Sequence, residues 1–118
     1  MRVHEIRIAD EIAKQMGAAR GGMRQIAAFT GAKNFRAMRD DGNIRGGLAF
    51  MFPRTKNSNS EIGTVNRVQI TLEANDTYTV EFGYTHGGKY SEKFKMAGVY
   101  GDMRRDLWWN HTGLALSF

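Results

Sequence analysis

Between Arg67 and Tyr84 apolar and polar residues alternate with a period of two on both sides of a short turn. Val68, Ile70 and Leu72 interleave with Arg67, Gln69 and Thr71; beyond Ala74-Asn-Asp76, Tyr78, Val80, Phe82 and Tyr84 interleave with Thr77, Thr79 and Glu81. Successive side chains of a strand point to opposite faces, so this stretch predicts an antiparallel hairpin with one buried and one solvated face. A sheet of that kind needs a covering layer on one side only.

The flanking sequence extends the sheet and supplies the cover. Phe35–Arg39 and Gly47–Phe52 read as two arms joined by Asp40-Asp-Gly-Asn43, with Leu48, Phe50 and Phe52 facing inward and Pro53 ending the strand. The polar, basic run Arg54 to Glu61 reads as a mobile loop. Another strand spans Lys89 to Met96 after the Thr85-His-Gly-Gly88 turn, placing Tyr90, Phe94 and Met96 on one face and Lys89, Lys93 and Lys95 on the other. That lysine row reads either as a ligand stripe or as edge protection. Before Thr30-Gly31 a further strand begins near Met23.

Ile8, Ile12 and Met16, with Ala9 and Ala13, form an apolar stripe at helical spacing from Glu5 to Met16, and Gly17 reads as its stop. A second helix is expected from Val99 to His111, with Met103 and Leu107 inward and Tyr100 and Trp108 on the flanks. Trp108 and Trp109 point about 100° apart on a helix, so both cannot enter one core, and the pair is read as an interface. The tail Leu114 to Phe118 alternates again. These elements predict a single α+β domain over residues 1–118: helix, about five antiparallel strands, helix, with the helices on one sheet face.

A chain of 118 residues with 42% hydrophobic residues suffices for one core. It contains no cysteine, which excludes disulfides, thiolate metal sites and a cysteine nucleophile. No apolar run approaches the roughly 20 residues of a membrane span, and the first residues lack an apolar signal core, so a cytoplasmic protein, in a host cell cytosol, without a membrane partner is expected.

The net charge of +5 is uneven. Residues 1–56 carry 11 Lys and Arg against 5 Asp and Glu, whereas residues 57–118 carry 6 against 7. Arg20-Gly-Gly-Met-Arg24 and Thr30-Gly-Ala-Lys-Asn-Phe-Arg36 concentrate basic, amide, hydroxyl and glycine residues in the positive half. Glycine lets backbone N–H groups approach a phosphate, and arginine offers it a planar fork of donors. Arg20, Arg24, Thr30, Lys33, Asn34 and Arg36 are therefore the expected ligand-binding residues, for a nucleotide or a nucleic acid.

Catalytic patterns are weak. His4, His86 and His111 lack metal-ligand spacing, so no metal and no cofactor are expected. Gly31-Ala-Lys33 lacks the leading glycine of a phosphate loop, because positions 26 and 27 are Ile and Ala. Asp40-Asp41 reads as turn chemistry, Asp102 and Asp106 as a solvated helix face, and no Gly-x-Ser-x-Gly turn occurs. A non-enzymatic protein is expected.

Phe29-Thr-Gly-Ala-Lys-Asn-Phe35, Asn66-Arg-Val-Gln-Ile-Thr-Leu72, Asp76-Thr-Tyr-Thr-Val-Glu-Phe82 and the ending Val99-Tyr-Gly-Asp-Met-Arg-Arg105 with Thr112-Gly-Leu-Ala-Leu-Ser117 resemble a family of short bacteriophage and mobile-element accessory proteins. The resemblance covers most of the chain and implies an accessory role, with no catalytic residues to carry over. In that setting a ligand trap or an inhibitor of a host defence system fits a phosphate-binding domain. The alternative is an interaction module that inhibits a host protein through an exposed aromatic surface. A sheet covered on one face, with Trp108 and Trp109 adjacent, also predicts a homodimer or higher homo-oligomer.

Overall fold

A computed structural model describes residues 3–16, 22–58, 60–100 and 103–114, with the side chains of 3–5 excluded. Its elements are α1 (Val3–Gln15), α2 (Met23–Thr30), β1 (Lys33–Met38), β2 (Ile44–Thr55), β3 (Val65–Glu73), β4 (Tyr78–His86), β5 (Lys89–Val99) and α3 (Met103–Thr112). The five strands form one antiparallel sheet in chain order, β1-β2-β3-β4-β5. This is the expected α+β architecture.

The period-two pattern determines the buried face. Leu48, Phe50, Val68, Ile70, Val80 and Phe82 project to one side and meet Ala9, Ile12, Ala13 and Met16 of α1, Ile26 of α2 and Trp108 of α3 in one continuous core. All three helices therefore cover the same face. Trp108 lies at the centre of an aromatic cluster, with ring centroids 5.6 Å from Phe50, 5.0 Å from Phe52 and 6.2 Å from Phe82. Its indole N–H donates to the Leu114 carbonyl at 2.8 Å, which satisfies the ring's one polar atom.

Four sequence expectations change. Residues 23–30 form a helix rather than a strand, because Met23, Ile26 and Thr30 meet the core at helical spacing. Thr30 donates its hydroxyl to the Ile26 carbonyl at 2.7 Å and accepts the Ala32 N–H at 3.1 Å, while Gly31 takes the left-handed conformation of a helix stop. Thr112 and Gly113 repeat the device at the end of α3: the Thr112 hydroxyl donates to the Trp108 carbonyl at 2.7 Å, and the Gly113 N–H donates to the Trp109 carbonyl at 2.8 Å.

The second change concerns β5 and α3. β5 runs on to Val99, so α3 begins at Met103, and Arg104, Trp108 and Thr112 form its inner seam while Met103 is exposed. Trp108 is thus a core residue, 2% exposed, and only Trp109, at 55%, is available to a partner. Third, the step from Phe82↔Phe94 to Gly83↔Glu92 inserts an extra residue at Lys93. This bulge reverses the side-chain alternation, so Phe94 stays inward while Tyr90 joins the opposite face. The same step puts Lys89 on the opposite face from Lys95 and Lys93 in the bulge, so the expected lysine row is broken, on a strand that lies at the sheet edge.

Fourth, Pro53 does not end β2. It sits in the interval between Met51 and Thr55 where pairing with β3 is irregular, a place that tolerates a residue without an N–H. The following loop is tied to the end of α3: the Asn57 amide donates to the Asn110 carbonyl at 2.9 Å, Thr55 donates to the Thr112 carbonyl at 3.1 Å, and Ser60 Oγ lies 2.6 Å from His111 Nδ1. Gly17 and residues 115–118 lie outside the described residues.

Truncating Trp108→Ala should destabilise the protein by about 3–5 kcal/mol, whereas Trp109→Ala should change stability by less than about 1 kcal/mol, as read from urea unfolding. Burial pushes the His111 pKa below its usual 6.5. Between the folded value and 6.5 the unfolded chain binds a proton that the folded chain does not, so stability is complete above that window and falls as pH drops through it. His111→Gln should flatten this dependence in urea midpoints measured from pH 7 to pH 5.

Candidate functional site: the uncovered sheet face

The side of the sheet away from the helices carries a polar set fixed by register. Arg36 pairs with Ala49, Ala49 with Gln69, Gln69 with Glu81 and Glu81 with Lys95, giving one row across all five strands. Directly paired residues of an antiparallel sheet share a face, so the row places cations at its two ends and an amide and a carboxylate between them.

Each edge strand folds a large side chain over a glycine of its neighbour. A Cβ on Gly83 would collide with the ring and hydroxyl of Tyr90, and one on Gly47 would meet the Ile70 carbonyl oxygen at 2.5 Å and Met38 Sδ at 2.8 Å. The absence of side chains at these two glycines lets Tyr90 and Met38 lie against the sheet. Tyr90 donates its hydroxyl to Glu81 Oε2 at 2.6 Å, and the Arg67 guanidinium carbon lies 5.2 Å from the Tyr90 ring centroid. Burial first, then the hydrogen bond and charge of Glu81, raise the Tyr90 phenol well above its usual pKa of 10, with Arg67 acting in the opposite sense.

Beside this row lies a groove of about 850 Å³. Gln69, Thr71, Thr79 and Glu81 line it from the central strands, Met38 and Ile44 from one side, and Lys95 and Tyr100 from the other. The groove offers acceptors, donors, one cation and apolar margins. Among the described residues no cluster of three or more His, Cys, Asp or Glu gathers at metal-binding distance.

The sequence-predicted residues divide between this face and other places. Arg36 is exposed on the row, and Asn34 is close to it, its amide donating toward Met51 Sδ at 3.5 Å. Lys33 is exposed at the start of β1 and Arg24 is exposed on α2. Thr30 is buried, its hydroxyl engaged at the helix stop. Arg20 lies outside the described residues. The Asp10 carboxylate sits against Gly22 at the start of α2 and is paired with Lys14 at 3.2 Å, so an intramolecular anion already stands where the glycine-rich approach was expected to receive one. Asp40 and Asp41 accept backbone N–H groups within their turn, as turn chemistry requires, and those bonds lower the Asp41 pKa.

Arg67, Gln69, Glu81 and Lys95 were legible as the polar half of each strand's alternation, but their alignment depends on register. Simple alternation places Tyr90 on the face opposite to the one it occupies, because a bulge leaves no reliable mark in one sequence. Comparison with protein-family models, curated proteins and solved structures gives no match.

Glu81→Gln removes the neighbouring charge and should lower the Tyr90 pKa partway toward 10. Ultraviolet titration of the phenolates is the measurement, and an unchanged late-titrating tyrosine would exclude the Tyr90–Glu81 bond.

Proposed function

We propose that this chain is a non-enzymatic binding domain whose uncovered sheet face takes a phosphate-bearing ligand, a nucleotide or a nucleic-acid strand. The observation that carries this reading is the Arg36–Ala49–Gln69–Glu81–Lys95 row beside the Tyr90 ring and Arg67. An antiparallel sheet with an aromatic ring laid on its open face is a natural platform for an unpaired base. Gln69 and Glu81 can hydrogen-bond a base edge, while Arg36, Arg67 and Lys95 can meet phosphates around it. The positive first half of the chain adds long-range attraction, with Arg24 and Lys33 as peripheral contributors.

In the phage or mobile-element setting implied by the sequence resemblance, such a domain would act in the host cytoplasm by sequestering its ligand or blocking a nucleic-acid-dependent defence protein. A second reading, an interaction module or homodimer, is carried by Trp109, Tyr100 and Met103, which are all exposed at or near α3. Sedimentation equilibrium addresses that reading, and a mass of 13.3 kDa at micromolar concentration would exclude the dimer.

Fluorescence-anisotropy titration with a short single-stranded oligonucleotide tests the main reading, alongside the absorbance of the purified protein near 260 nm for a retained nucleotide. Arg36→Ala should weaken binding by about 1–3 kcal/mol. It should also reduce the slope of log affinity against log salt by about 0.7, the value of one lost phosphate contact on a single strand. Absence of both oligonucleotide binding and retained nucleotide would overturn the proposal.

A further inference from the structure

Arg104 is a cation buried among the apolar residues of the helix side. It lies in the first turn of α3, is 1% exposed, and its Nε and Nη1 have no hydrogen-bond partner among the described residues. Its guanidinium stacks on Tyr78, with Cζ 3.8 Å from the ring centroid. That contact satisfies the flat face of the cation but neither the Nε–H nor the Nη1 N–H groups, which lie in the guanidinium plane. No ion pair with a described residue offsets the charge, and burying an unpaired cation opposes folding.

The unused donors face a defined chemistry. Arginine remains protonated under all ordinary conditions, so it cannot escape the penalty by losing its proton as a buried lysine can. Relief has to come from an acceptor, and an anionic oxygen is the strongest one. Tyr78 holds the guanidinium in one plane and thereby fixes the directions in which such an acceptor can approach. Tyr78 belongs to the inward-facing set of β4 and packs against the core, so this position lies on the helix side of the sheet, away from the polar row.

We propose that Arg104 is the receptor of an oxyanion, the phosphate or carboxylate group of a small ligand, admitted between the first turn of α3 and Tyr78. The proposal is independent of the reading of the open sheet face. Because the side chain is covered, entry requires the helix end to open, a motion that helix termini undergo more readily than strands at the centre of a sheet. Bound oxyanion then pairs the buried charge and fastens α3 to β4, so the ligand stabilises the fold in proportion to its occupancy.

Calorimetric titration of the full chain with inorganic phosphate and, separately, with acetate tests this, each paired with thermal unfolding in the same buffer. The expected result is binding of at least one anion with a rise in Tm, and the anion with the larger effect identifies the ligand group. Arg104→Met should abolish both effects while remaining at least as stable as the parent in anion-free buffer, because it removes an unpaired buried charge. Arg104→Lys keeps the charge but loses the planar donor set, and should weaken binding by about tenfold or more. It serves as the probe should the methionine variant fail to fold. Arg105→Met, at the exposed neighbouring position, should bind as the parent does. No binding of either anion, or equal loss of binding in the Arg104 and Arg105 variants, would overturn the proposal. An anion-insensitive parent that Arg104→Met destabilises would also overturn it, by showing that the acceptor belongs to the chain itself.

Discussion

The packing of Trp108 against the inward face of β2 and β4 is the contact on which the rest of the architecture depends. Phe50, Phe52 and Phe82 surround the ring from two strands that are not neighbours, so a single side chain bridges the width of β3 and fixes α3 across the sheet. Removing about 150–250 Å² of a tryptophan from water contributes roughly 4–6 kcal/mol, comparable to the net stability of a small domain. Once α3 is placed, its last carbonyls become acceptors for Asn57 and Thr55, and the polar segment after β2 gains fixed partners. His111 extends the same seam, 4.4 Å from Phe94 and 5.5 Å from Phe82 by ring centroid.

With all helices on one face, the other side of the sheet is left to water, and its chemistry follows from strand pairing. Arg36 and Lys95 stand on the two edge strands, Gln69 and Glu81 on the inner ones, and Arg67 of β3 adds a cation beside Tyr90. Glycine has a separate part in this arrangement. Gly47 and Gly83 each lie one strand in from an edge, and each lets an edge side chain fold back over the sheet, which shapes the face without adding an element. The surface is therefore defined more by which residues are small than by which are charged.

The helix side holds a contrary feature. The α3 seam of Arg104, Trp108 and Thr112 places a cation, an indole and a hydroxyl in the same environment. The indole and hydroxyl satisfy their polar atoms within a few residues, through Leu114 and the Trp108 carbonyl. Arg104 stacks on Tyr78 but leaves Nε and Nη1 without a described partner. This contrast between neighbours one helical turn apart distinguishes Arg104 from the other core residues.

The sequence by itself determined the sheet, its inward face and the stripe of α1, because period-two alternation and i, i+4 spacing are local and survive in any tertiary context. It also located the turns, where Asp-Gly and Gly-Gly have local conformational reasons to occur. Tertiary structure alone decided the rest. Residues 23–30 span only about two helical turns, too short a stretch for the period to separate strand from helix, and contact with the core selects the helix. The inner face of α3 depends on where β5 ends, and a bulge near Gly98 carries that strand to Val99. The Lys93 bulge turned Tyr90 toward the open face, and pairing across four strand boundaries brought Arg36 and Lys95 into one row. Register is a property of pairs of strands, so no single segment of the sequence contains it.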